Sequence, residues 1–105
     1  MTMSSLAHVL DLDPVLHEKS RLAIASTLAT ANGLTFRELR ESLQMTDGNL
    51  SVHLRVLEQA GYVEVEKSFV GRKPQTRVSL NKHGRKALAR YVDHLEAIVA
   101  GVRRG

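Results

Sequence analysis

At 105 residues the chain has room for one domain with a single modest hydrophobic core. It contains no cysteine, which excludes disulfides, thiolate metal sites and cysteine nucleophiles. The formal charge of +4 is mild but uneven: residues 1–33 sum to −1, 34–66 to −3, 67–86 to +7 and 87–105 to +1.

The basic block holds Lys67, Arg72, Lys73, Arg77, Lys82, Arg85 and Lys86 without one acid, the footprint of contact with a polyanion. No apolar run approaches the roughly 18 residues that span a bilayer. The N-terminus MTMSSLAHVLDLD lacks the basic-then-apolar layout of a secretion signal. A cytoplasmic location without membrane contact is therefore expected.

In chain order, Leu6, Val9 and Leu10 predict a short first helix over residues 4–12. Asp13-Pro14 reads as an N-cap followed by proline at the first helical position. A helix from Val15 to Ala31 is supported by Leu22, Ala25, Leu28 and Ala29 and ended by Asn32-Gly33. Thr35-Phe36-Arg37-Glu38 is a capping box, opening a short helix with Phe36, Leu39 and Leu43 inward. Gln44-Met45 connects to Thr46, the predicted N-cap of the next helix, which Gly61 stops in a left-handed conformation.

In that helix Leu50, Leu54 and Leu57 fall at i, i+4 and i+7 and form an inner stripe. The outer face carries Asp47, Gly48, Asn49, Ser51, Val52 and Arg55, all short or polar and none a large apolar anchor. Such groups at the start of a helix suit an element lying against base edges in a major groove. The two short helices, over residues 34–61, predict a helix-turn-helix.

Past Gly61 the period changes to 2, in Tyr62–Glu66 and again in Gln75–Leu80. Ser68–Pro74 between them is the predicted turn, with a proline that cannot extend a central strand. A hairpin over 62–80 with Arg72 and Lys73 at its tip would complete a winged helix-turn-helix, an α+β fold that is mainly α. Asn81 is the predicted N-cap of a helix over 82–103. There Leu88, Tyr91, Val92, Leu95, Ile98, Val99 and Val102 form a seam sustained over about two heptads. The helix is longer than closure of one small domain requires, so the seam is expected to pair with its copy in a homodimer.

The run TFRELRESLQMTDGNLSVHLRVLEQAGYVEVEKSFVGRKPQTRVSLNKHGRKAL, preceded by Arg21-Leu22 and Leu28, resembles the short winged-helix transcriptional regulators. These are compact relatives of the MarR and ArsR repressors. The resemblance covers most of the chain through three linked motifs: DGNLSxHLxxLExAGYV, the wing GRKPxT and the turn LxxxGRxAL. It implies a homodimer that binds double-stranded DNA at a pseudo-palindromic operator, and the expected function is that of a transcriptional regulator, a repressor before an activator. The base-reading positions would fall on Asp47, Gly48, Asn49, Ser51, Val52 and His53, with Thr46 and Arg55 near phosphates. The wing positions would be Arg72 and Lys73, followed by Gln75, Thr76 and Arg77. Val52 stands where many relatives carry a long polar side chain, which would leave it a thymine-methyl contact. Asn81 replaces the more usual threonine, an exchange of caps.

Some positions carry two readings. Asp47 either stabilises a helix N-terminus or accepts from cytosine. His53 either packs beside Leu54 or contacts DNA. The five histidines include no i,i+4 pair, and Asp93, His94 and Glu96 make an incomplete ligand set, so no metal or cofactor is expected. No nucleophile elbow or carboxylate pair suggests an enzyme. No polar cluster converges to identify a small-molecule effector. The competing function is a winged-helix protein-interaction module, for which Phe69 and Val70 are the only apolar candidates.

Overall fold

Two apolar patterns, one of period 3.6 and one of period 2, meet in a single core. The computed structural model describes residues 6–105, apart from the His8 side chain. Ser4 and Ser5 of the predicted first helix lie outside the described residues. The elements are α1 (His8–Asp11), α2 (Lys19–Ala29), β1 (Leu34–Thr35), α3 (Phe36–Leu43), α4 (Asp47–Gln59), β2 (Val63–Val70), β3 (Lys73–Leu80) and α5 (Lys82–Arg104). The three strands form one antiparallel sheet in the order β1-β3-β2. This is a winged helix-turn-helix with a long C-terminal helix.

The core joins Leu16, Ile24 and Leu28 to Leu39 of α3, Leu50, Leu54 and Leu57 of α4, Val63, Val78 and Leu80 of the sheet, and Leu88 and Tyr91 of α5. Fully burying one such side chain contributes roughly 1.5–3 kcal/mol. The leucine stripe of α4 therefore decides which face of that helix remains outside.

The helix caps are local and mostly as expected. Thr35 and Glu38 form a reciprocal capping box, the Thr35 N–H donating to the Glu38 carboxylate at 2.8 Å and the Glu38 N–H to the Thr35 hydroxyl at 3.0 Å. The Thr46 hydroxyl accepts from the Asn49 N–H at 3.1 Å. Gly61 sits at φ +80°. The Gly61 N–H donates to the Glu58 carbonyl and the Tyr62 N–H to the Leu57 carbonyl, which closes α4 in a Schellman motif.

Both boundaries of α2 differ from expectation. α2 begins at Lys19 rather than Val15, because the Asp13 carboxylate accepts from the Val15 and Leu16 N–H groups and closes a separate turn. Glu18, extended at φ −145°, then caps α2 by accepting from the Arg21 N–H. α2 ends at Ala29, with Thr30 as its C-cap, two residues before the predicted end.

The hairpin turn is two residues, Gly71-Arg72, rather than Ser68–Pro74. Gly71, at φ +63°, takes the first central position, as a type II′ turn requires. Pro74 lies within β3, opposite Phe69. It is tolerated because β1 covers β3 only at Arg77 and Val78, leaving the outer half of β3 an edge. The two-residue strand β1 itself had no sequence signal.

The predicted seam of α5 divides between the core and the surface. Leu88 and Tyr91 of the predicted dimer seam are buried in the protomer's own core, and Leu95 packs partly against it. Val92, Val99 and Val102 remain exposed, as do Val9 and Leu10 of α1, which packs along α5. The start of α5 presses so closely on the α4–β2 turn that a Cβ on Gly84 would meet the Tyr62 carbonyl oxygen at 2.2 Å. Asn81 also does more than cap: its amide donates to the Gly61 carbonyl and the Glu64 carboxylate, both at 2.8 Å. A threonine offers one hydroxyl and could not make both bonds.

Tyr62 ties this turn to the N-terminal segment, its hydroxyl donating to the Asp13 carboxylate. Burial, aided by that bond, pushes its phenol up to about 12. An unfolded tyrosine titrates near pH 10, so the folded state holds the proton more tightly. The resulting stability is whole below about pH 10 and is lost as pH rises towards 12. Burial raises Tyr91 in the same direction. Melting temperatures are expected to fall across this window, with a shallower fall in Tyr62→Phe. That variant should lose about 1 kcal/mol at neutral pH through the missing hydrogen bond. Equal alkaline sensitivity in both proteins would place the effect elsewhere.

Candidate nucleic-acid interface

The exposed side of α4 is set by its buried leucines. Asp47, Gly48, Asn49, Ser51, Val52 and Arg55 all lie on it, adjoining the capped N-terminus at Thr46. A helix N-terminus presents free N–H groups and the positive end of the helix dipole, which favours an approaching anion. Gly48 is informative because a Cβ there would meet nothing within 4 Å. Nothing inside the protomer calls for glycine, and glycine lowers helix stability relative to alanine. The bare backbone leaves space for something outside the protomer.

Asp47 lies 2.8 Å from the Arg40 guanidinium on α3, across the turn of the helix-turn-helix. Its bond raises the Arg40 pKa further. The carboxylate thus occupies the first turn of α4 and also joins the two helices.

His53 turns away from the exposed face. Its Nδ1 is 3.2 Å from the Arg21 guanidinium and 3.6 Å from the Glu18 carboxylate. Arg21 in turn donates to the Val15 carbonyl at 2.7 Å. The Arg21 N–H holds the Glu18 carboxyl below its usual range. His53 therefore packs α4 against the start of α2 and helps position the exposed face. Arg21 and Glu18 were missed as supports of this site, since no local spacing connects residues 18, 21 and 53.

On the wing, Arg72 and Lys73 are exposed at the tip, while Gln75 and Thr76 are half-buried. Arg77 has a partner inside the protomer, donating to the Gly33 carbonyl at 3.2 Å and anchoring the wing base. Arg85 likewise donates to the Ala29 and Ala31 carbonyls, at 3.2 and 3.3 Å, near the C-terminus of α2. Two of the seven cations in the basic block are thus used in the fold. Lys67, Arg72 and Lys73 stay together on the outer wing.

The structure also gathers polar groups that sequence reasoning did not converge. Asp13, Tyr62, His83, Lys86, Arg90 and His94 line a cleft of about 560 Å³ between the N-terminal segment and α5. His83 lies against Tyr62, with ring centroids 5.1 Å apart. The signal was present as helical spacing: residues 83, 86, 90 and 94 fall on one face of α5. Among the described residues no group of three histidine, aspartate or glutamate side chains is placed to hold a metal ion. No helix among them is long and apolar enough to cross a membrane.

A polar helix face with a capped N-terminus, beside a hairpin with a cationic tip, defines a winged-helix nucleic-acid-binding protein. The family model for winged helix DNA-binding domains matches residues 20–99, and the chain belongs to that family. Uncharacterized protein MJ0432 of Methanocaldococcus jannaschii is 36% identical over 72 residues, 69% of this chain and 78% of that protein. The structure of a transcriptional regulator homologue from Pyrococcus horikoshii OT3 is 32% identical, with a TM-score of 0.80 over 84% of this chain and 87% of that one. The M. tuberculosis transcriptional regulator MOSR, solved in complex with DNA, shares the fold at 19% identity. Its TM-score is 0.68, covering 98% of this chain and 71% of that one.

Proposed function

We propose that this DNA-binding regulator is a cytoplasmic repressor that reads a pseudo-palindromic operator as a homodimer. The observation that carries the reading is the exposed face of α4, where Gly48 clears a path for close approach and Asn49 and Ser51 offer hydrogen-bonding groups. Asn49 is assigned to a base edge, Val52 to a thymine methyl, and Thr46 and Arg55 to phosphates. His53 positions this face from behind, while Asp47, itself on the face, joins it to α3 through Arg40. The wings add backbone contacts through Arg72 and Lys73. The exposed valines of α5, together with Val9 and Leu10 of α1, supply an apolar surface for the second copy. The DNA complex of the M. tuberculosis regulator supports the same use of the fold.

The test is genomic footprinting of the tagged protein, followed by binding to the recovered site. On that site Asn49→Ala is expected to cost roughly 1–3 kcal/mol and relax preference at one or two base positions per half-site. Binding to random DNA should barely change. If specific and non-specific affinities fall together, Asn49 is a phosphate contact and the assignment fails.

A further inference from the structure

We propose that each wing carries a second, apolar DNA contact, in which the Phe69 ring packs against the deoxyribose wall of the minor groove flanking a half-site. The inference rests on the DNA-binding reading above. Residues paired across an antiparallel ladder share a face, and the faces alternate along each strand. Val63 with Leu80 and Val65 with Val78 make the core side of the sheet; Lys67 with Thr76 and Phe69 with Pro74 prolong that face beyond the body. Val63, Val78 and Leu80 are buried, whereas Phe69 is 74% exposed. Among the described residues no aromatic ring stacks on it. The ladder continues in register up to the two-residue turn, so the ring is carried on a short, well-defined ribbon.

The surroundings of the ring select its partner. From Lys67 to Thr76 the hairpin holds three cations and no acid. A protein partner would bury an apolar ring in an interface core depleted of charge. Duplex DNA offers both chemistries side by side: phosphates for Lys67, Arg72 and Lys73, and the C–H faces of the sugars between them. The geometry fixes the depth. Phe69 is two residues behind Gly71, about 7 Å at roughly 3.3 Å per residue. The minor groove is about 7.5 Å deep. With the tip at the groove floor, Phe69 and Pro74 stand level with the sugar rims. The contact is therefore lateral, and the ring does not enter the base stack.

The test is a salt titration of wild type, Phe69→Ala and Phe69→Leu on two duplexes. One carries the recovered operator with its flanks; the other is trimmed to remove the flanking minor grooves. An apolar contact releases no counterions, so Phe69→Ala should weaken binding to the full duplex by about 10- to 100-fold per dimer at every salt concentration. Phe69→Leu should retain most of the affinity. On the trimmed duplex Phe69→Ala should match wild type. Unchanged affinity on the full duplex would overturn the proposal and assign the ring to a protein partner. An equal loss on both duplexes, or an altered salt slope, would overturn it too. Wild-type protein that binds no recovered fragment would overturn the DNA-binding reading first, a failure distinct from the others. Thermal melts confirm folding of each variant.

Discussion

Replacing Arg72 and Lys73 together by alanine is expected to lower the slope of log affinity against log salt by about 2 to 4. Each duplex phosphate neutralised by a cation contributes roughly 0.9 to that slope, and a dimer with two wings would lose four cations. The deficit of the variant should therefore be large at low salt and shrink by roughly 16- to 250-fold between 50 and 200 mM. Both residues are exposed at a turn and face no acid across the hairpin tip. Folding stability should stay within about 0.5 kcal/mol. Arg77 would be a poor choice for the same test, since its bond to Gly33 would confound binding with the fold. If Arg72 enters a narrow minor groove, preference for A·T-rich flanks should weaken as well. Unchanged slopes with intact folding would mean that the wing does not touch DNA, and the protein-interaction reading would move ahead.

What could be read from the sequence was what is decided within a few residues. The Thr46 cap, the Thr35–Glu38 box and the Gly61 stop each need only a short window, and each is found where its residues predicted it. The leucine stripe of α4 was legible for the same reason, and with it the outward-facing Asp47, Gly48, Asn49, Ser51, Val52 and Arg55. Periodicity shows that residues share a face but not what covers that face. Leu88, Tyr91, Val92 and Val99 share one pattern, yet Leu88 and Tyr91 pack inward while Val92 and Val99 stay outside. Charge counting has the same blind spot. Arg77 and Arg85 add to the basic block on paper but donate to backbone carbonyls more than 40 residues away. Pro74 is barred only from the central part of a sheet, and β3 is central only where β1 reaches it, a limit that no local window contains. Glu18 displaced Asp13 as the cap of α2 because two carboxylates compete for nearby N–H groups and each takes a different turn.

The division of α5 turns the dimer into a sharp prediction. Val99→Asp is expected to yield a monomer, while Leu88→Asp should lose the fold itself. Val99 is half exposed and lies beyond the part of α5 that closes the core, so a charge there leaves the isolated protomer solvated. In a symmetric dimer built on this face, the same substitution would bury two carboxylates, at a cost of several kcal/mol. Leu88 belongs to the core, where an unpaired charge destabilises the protomer directly. Sedimentation equilibrium should give wild type about twice the 11.6 kDa chain mass and Val99→Asp the chain mass, with similar far-ultraviolet circular dichroism for both. Two linked recognition helices gain affinity through effective concentration, so the monomer should bind a full operator about 10²- to 10⁴-fold more weakly. Its affinity for an isolated half-site should be nearly unchanged. Wild type that sediments at 11.6 kDa at tens of micromolar would remove the dimer, and the pseudo-palindromic operator with it.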